Sequence, residues 1–130
     1  MDKLHLEIVT PEGLVFSGDV ASVVLPGSDG EFGVLPRHAA LISLLQAGVI
    51  DITGLENKRD VVAINWGYAE VDEHKVTVLA DGAVYLHGSD DSELAINLTK
   101  AKELISAASS ETTAFAATIA KLDDMARSRR

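Results

Sequence analysis

The chain has no cysteine, which excludes a disulfide framework and a thiolate metal site. It has no run approaching ~20 consecutive apolar residues, so no transmembrane helix is expected. Its opening, MDKLHLEIVT, shows neither the charged-then-apolar pattern of a secretory leader nor the Arg- and Ser-rich character of a transit peptide. Positive charge is scarce: 11 Lys and Arg stand against 20 Asp and Glu, a formal net charge of −9. Such a surface repels phosphate backbones and anionic headgroups, so neither nucleic acid nor direct membrane binding is expected. With 130 residues, 47% of them hydrophobic, the chain is long and apolar enough to bury one main core. The charge is uneven, because the last ten residues, KLDDMARSRR, hold four basic side chains against two acidic ones.

The first part reads as short strands with turn punctuation. LHLEI alternates, and TPEG is a turn by its Pro and Gly. LVFSGDVASVVLPG is valine-rich and interrupted by Gly18, which predicts two strands or one bulged strand. VIDIT, VVAINW, YAEV and VTVLA are further strand candidates, with GLENKRD as a polar loop and VDEHKV holding a turn. HAALISLLQA is ambiguous, since its residue types favour helix but it is short. After Asp81 the character changes. DGAVYLHGSDDS is linker-like, and no glycine or proline follows Gly88. Ser89, Asp90 and Asp91 are helix-capping residues. Leu94, Leu98, Ala101, Ile105 and Ala108 repeat at helical spacing, as do Phe115, Ile119, Leu122 and Ala126 beyond a break at ASSETT. The pattern predicts an α+β chain: an N-terminal all-β sandwich or barrel over residues 1–84, a linker over 85–91, and a C-terminal antiparallel two-helix hairpin over 92–130. Much of the helical seam is alanine, so the hairpin buries little and is expected to be marginal alone.

The stretch PGSDGEFGVLPRHAALISLLQAG, residues 26–48, holds Gly27, Gly30, Gly33, Pro36 and Gly48. It is not a phosphate loop, because no Gly-Lys-Ser/Thr follows, and its GxxGxxG spacing is not the dinucleotide fingerprint. The bland reading is that the glycines permit tight reversals with positive φ. Ser28, Asp29 and His38 are the residue types of a hydrolytic triad, but nothing in the sequence brings them together and there is no nucleophile elbow. His5, His38, His74 and His87 lack metal-ligand spacing. No catalytic residue, metal or cofactor is expected. Glu31 reads as a surface charge and Trp66 as core or a partly buried anchor. Lys121, Arg127, Arg129 and Arg130 either complement a helix C-terminus or form an electrostatic docking end.

The segment LPGSDGEFGVLPRHAALISLLQAGVI resembles the hallmark of the epsilon subunits of bacterial F-type ATP synthases. EVDEHKVTVLAD at 70–81 is similar to their second signature, and LEIVTPEG also fits. The likeness covers about residues 4–82, with the tail similar in architecture. It implies a β-sandwich followed by two helices, and no catalytic site in this subunit. It implies partners: the gamma subunit, the membrane c-ring, and the catalytic alpha and beta subunits. Membrane association would come through the complex only, at the cytoplasmic face of the bacterial inner membrane. Gly27, Gly30, Gly33, Pro36 and Gly48 would shape a loop presented to the c-ring, with Glu31, Arg37 and His38 on or near that surface, and HAALISLLQA would be strand. The helices would be able to extend and inhibit ATP hydrolysis, with Lys121, Arg127, Arg129 and Arg130 drawn to the beta subunit. Some members bind ATP through a helix motif that aligns with Ile96, Asn97, Lys100 and Ala101. Asn97 lacks its carboxylate and Lys100 its planar guanidinium. The rival readings are a stand-alone ligand-binding sandwich with a helical oligomerisation hairpin, and an ATP-sensing regulatory protein.

Overall fold

The computed structural model describes residues 3–86 and 91–108. Among these it contains nine strands and one helix. The strands are β1 (Leu4–Thr10), β2 (Gly13–Gly27), β3 (Gly30–Val34), β4 (Leu41–Leu45), β5 (Gly48–Gly54), β6 (Arg59–Ile64), β7 (Gly67–Val71), β8 (Lys75–Ala80) and β9 (Ala83–Tyr85), and the helix is α1 (Asp91–Ala108). Hydrogen-bonded neighbours follow the order β1-β8-β7-β4-β2-β5-β6-β9, β3 pairs with β2, and a β1–β2 pairing closes the path. Strand β2 therefore serves both layers. Its first half lies against β1 and its second half against β5 and β3.

This division explains why the valine-rich stretch is one strand and not two. Gly18 sits inside β2 opposite Leu6, and the strand turns from one layer to the other through register shifts opposite Ile8/Val9 and at Val20/Ser22. Such bulges add local twist, which lets a long strand fold across a sandwich. Within HAALISLLQA, residues 41–45 form β4, paired with β7. Leu45 is buried in the core. Cross-strand pairing and burial override a weak helix propensity. The alternating β1 pattern falls as read, with Leu4, Leu6 and Ile8 fully buried and His5 and Glu7 outward.

Among the described residues two apolar clusters exist. The main core lies between the layers and includes Leu4, Leu6, Ile8, Leu25, Ile50, Ile52, Val62 and Ile64. The second lies on the outer side of β5, β6 and β9. There Val49, Val61, Ala63 and Leu86 meet Leu94, Ala101 and Ile105 of α1, with Leu98 half-buried beside them. Ala108, expected in the same seam, is exposed at the last turn of the helix. The linker-like stretch after Asp81 holds more structure than its composition suggests, because β9 pairs with β6 and Leu86 is buried. Tyr85 donates its hydroxyl to the buried Asp60 at 2.8 Å and meets Phe16 edge to face. The capping residues Ser89 and Asp90, the expected second helix, and Lys121, Arg127, Arg129 and Arg130 lie outside the described residues.

A chain ending after residue 88 should still unfold cooperatively, because the main core is complete without α1. It should nonetheless be less stable than the full chain by roughly 1–3 kcal/mol, since Val49, Val61, Ala63 and Leu86 become exposed. Thermal denaturation of the two chains checks this; a truncated chain without a cooperative transition contradicts it.

Candidate functional site: an exposed apolar face and its polar tip

The site is built from the outward residues of the β4-β7-β8-β1 layer. The pairing registers align Leu44 with Tyr68, Tyr68 with Leu79, Leu79 with Val9, and Val9 with Leu14. These five side chains form one apolar row across five adjacent strands. Leu44 is 69% exposed and Leu14 60%. Ile42, on the same side of β4, is 71% exposed. Alongside the middle of the row, Val9, Pro11, Trp66, Tyr68 and Leu79 border an open groove of about 360 Å³.

Trp66 is therefore not core. It is 57% exposed in the connection between β6 and β7. Its backbone is fixed: its N–H donates to Asn65 Oδ1 at 2.8 Å and its carbonyl accepts from Asp81 N–H at 3.0 Å. Asn65 Oδ1 also accepts from Gly82 N–H at 2.8 Å, so one side chain ties together two strand connections. Gly67 is required here, because a Cβ would lie 2.3 Å from Leu79 O.

Polarity rises along the same face away from Trp66. The next row is Ile42, Glu70, Thr77 and Glu7, and the one beyond pairs Lys75 with His5 and His5 with Asp19. Lys75 bridges to Glu7 at 2.6 Å, and His5 and Lys3 both reach Asp19. The Lys75 hydrogen bond holds the Glu7 carboxyl below its ordinary value, and His5 and then Lys3 do the same for Asp19. Lys75 is in turn held high by Glu7. Asp72 is held low because its Oδ1 accepts backbone N–H groups of His74 and Lys75, each at 2.8 Å. The carboxylate contributions are present at neutral pH and are lost as pH falls through their lowered values. The Lys75 contribution is lost only as pH rises past its own raised value, above 10.5.

The structure places Arg37 and His38 together at this polar end. Residues 35–38 form a turn in which His38 N–H donates to Leu35 O at 3.2 Å, and Arg37 N–H donates to Glu73 O at 2.8 Å, joining the turn to the one between β7 and β8. His38 is half-buried, with Nδ1 2.7 Å from Ala39 O. Glu31 stands exposed on β3 opposite Pro26. The glycines differ in their reasons. Gly30 has φ +127° at the start of β3, where the chain leaves the β2–β3 turn. Gly27 is required by close approach, since a Cβ would lie 2.6 Å from Gly30 O. Gly48 packs on Pro26, where a Cβ would come within 2.8 Å. Gly33 has neither reason: its φ is not positive and a Cβ would meet nothing within 4 Å. The expectation that all three loop glycines serve positive φ is thus right only for Gly30.

On α1, Ile96 and Lys100 are exposed, Asn97 is half-buried, and Ala101 is fully buried against the sheet. Among the described residues no three His, Asp or Glu side chains gather as a metal site, and no helix is long and apolar enough to cross a membrane. The apolar row was missed in the sequence. Its signal was present in LISLL, where apolar residues occupy both faces of one strand, a pattern that asks for cover on both sides.

Comparison with known proteins agrees with this architecture. Residues 3–85 match the family described as ATP synthase, Delta/Epsilon chain, beta-sandwich domain. The ATP synthase epsilon chain of Campylobacter curvus is 67% identical over 99% of this chain and 100% of its own length. That of Nitratiruptor is 50% identical over 98% of each chain. A chain in the cryo-EM structure of the Euglena gracilis mitochondrial ATP synthase superimposes with a TM-score of 0.63 at 22% identity, over 95% of this chain and 74% of that one, which is a likeness of fold.

Substituting Gly27 by Ala should destabilise the chain by about 1–3 kcal/mol through overpacking. The same change at Gly33 should stay within about 0.5 kcal/mol. Denaturant melts of the two variants check the contrast; equal effects contradict it.

Proposed function

The chain belongs to the ATP synthase epsilon chains, which are not catalytic by themselves, and from that premise we propose how its surface serves a rotor. The sandwich binds the gamma subunit through the apolar row Leu44–Tyr68–Leu79–Val9–Leu14. The polar tip carrying Arg37 and His38, together with Glu31, faces the c-ring. The complex then lies on the cytoplasmic face of the bacterial inner membrane, and this subunit is peripheral to it. The apolar row is the observation that carries this reading. An exposed apolar stripe across five strands is a poor surface for a free monomer and an apt one for an interface core. Tyr68, between Leu44 and Leu79 in the row, is of the type that dominates interface energies. Residues 1–84 supply this docking, and the helical part supplies regulation. Its C-terminal helices leave the sandwich and restrain ATP hydrolysis, with Lys121, Arg127, Arg129 and Arg130 drawn to acidic groups of the beta subunit. Such a balance is within reach energetically because, among the described residues of α1, three side chains are buried against the sheet, Leu94, Ala101 and Ile105.

Tyr68→Asp and Leu44→Asp should leave the fold intact, since both side chains point to solvent, while reducing co-purification with gamma at least tenfold. Undiminished co-purification contradicts the assignment. Deleting residues 89–130 should raise ATP hydrolysis by the membrane-bound complex and leave proton pumping intact; unchanged hydrolysis shows that the tail is not an inhibitor. ATP should bind the isolated chain weakly or not at all, because Asn97 and Lys100 replace the acid and the Arg of the nucleotide motif. Calorimetry revealing micromolar binding would overturn that.

A further inference from the structure

The outer apolar face is not flat. Trp66, Asp81 and Pro11 each lie two residues from a member of the apolar row, Tyr68, Leu79 and Val9 respectively, on the side opposite Glu70, Thr77 and Glu7. The groove of about 360 Å³ lies on that side. Its lining is apolar apart from Thr10 and Asp81, and the Asp81 carboxylate already accepts from Asn65 Nδ2 at 2.9 Å. The groove therefore offers shape and apolar surface, with little charge to satisfy. Trp66 brings the largest side chain to it while 57% exposed. Its backbone is pinned by Asn65 and by the carbonyl bond from Asp81 N–H, so little ordering is left to be done when a partner arrives. An exposed tryptophan on a fixed backbone beside a concave apolar surface has the character of an interface anchor.

We propose that Trp66 is an anchor of the gamma interface, packing against an aliphatic side chain that gamma inserts into the groove beside it. This rests on the reading of the apolar row as the gamma-binding surface, and adds to it a concave subsite and the residue that borders it. Continuity identifies the occupant. Tyr68, Leu79 and Val9 belong to both the row and the groove, so a subunit that covers the row also closes the groove's mouth. The row of Glu70, Thr77 and Glu7 and the charged pairs beyond it stand between the groove and the polar tip, which sets the c-ring apart from this site. The groove is at the lower end of the roughly 300–1,000 Å³ typical of small-molecule pockets and is open to solvent, which suits a side chain carried in on a larger partner.

The chain contains a single tryptophan, so hydroxytryptophan incorporated in its place reports on this site alone and is excited selectively beside ordinary tryptophan. The labelled full chain is mixed in turn with ATP synthase stripped of this subunit, with isolated gamma, with an alpha–beta head lacking gamma, and with the c-ring. Emission should move to shorter wavelength and acrylamide quenching should fall with the stripped complex and with gamma, and neither should change with the other two. Trp66→Ala should bind the stripped complex more weakly by about tenfold or more. Its melting temperature should stay within about 3 °C of the unaltered chain, because the side chain stands outside both apolar clusters. Trp66→Phe, which keeps an aromatic ring beside the groove, should bind within about threefold of the unaltered chain. Full affinity in Trp66→Ala, or unshifted emission in the bound complex, overturns the proposal and leaves the rotor reading in place. A shift produced by the head without gamma, or by the c-ring, overturns the assignment of the groove to gamma. If the unaltered chain does not bind the stripped complex at all, the rotor reading itself falls, and this anchor with it.

Discussion

Beyond its first residue, Arg59, strand β6 has no solvent face. From Asp60 to Ile64 every residue is buried, alternately in the core between the layers and in the cluster under α1. The strand is a continuous apolar run because two different partners cover it. Much of the architecture follows from that. The outer residues Val61 and Ala63 require a cover, α1 supplies it, and β9 brings the chain back along β6 to position the helix. Among the described residues Asp60, the second residue of this strand, is the one buried carboxylate, and by accepting the Tyr85 hydroxyl it also fastens β9 to the sandwich.

The two outer faces of the sandwich then solve the same problem differently. On the β5-β6-β9 side, apolar side chains are covered by the chain's own helix. On the β4-β7-β8-β1 side a comparable row is left open, grading from Trp66 and Tyr68 at one end to the Lys75–Glu7 and His5–Asp19 pairs at the other. In the proposed reading the second face is covered by another subunit, and the graded polarity sets its direction. In that reading the apolar end lies along a shaft and the charged end meets a polar ring. The exposed ion pairs contribute little stability, and in that reading they serve orientation.

The sandwich was legible in the sequence wherever one side of a strand faces water, as in LHLEI, because a period of two then survives. It was less legible where both sides are apolar. LISLL read ambiguously as helix or strand because its outward leucines carry no local signal of a partner. The stretch after Asp81 read as linker because three residues of β9 are too few to show a pattern, and their burial comes from β6 and α1, distant in sequence. Trp66 was read as core or partly buried because a lone tryptophan in an apolar run is usually inside, and it takes the pairing of β6 with β5 and β9 to show that the strand has ended at Ile64. The glycines were visible, but their separate reasons were not, because close approach at Gly27 and Gly48 depends on where Phe32 and Pro26 fall in space.

The central claim is that one outer face of the sandwich is covered by the molecule itself and the other by a partner. Hydroxyl-radical footprinting of the full chain, free and assembled in the ATP synthase, tests it directly by mass spectrometry of oxidised side chains. The account predicts that Leu44, Ile42, Tyr68 and Leu14 react readily in the free chain and become strongly protected in the complex. Equal oxidation of these four residues in both states would contradict it.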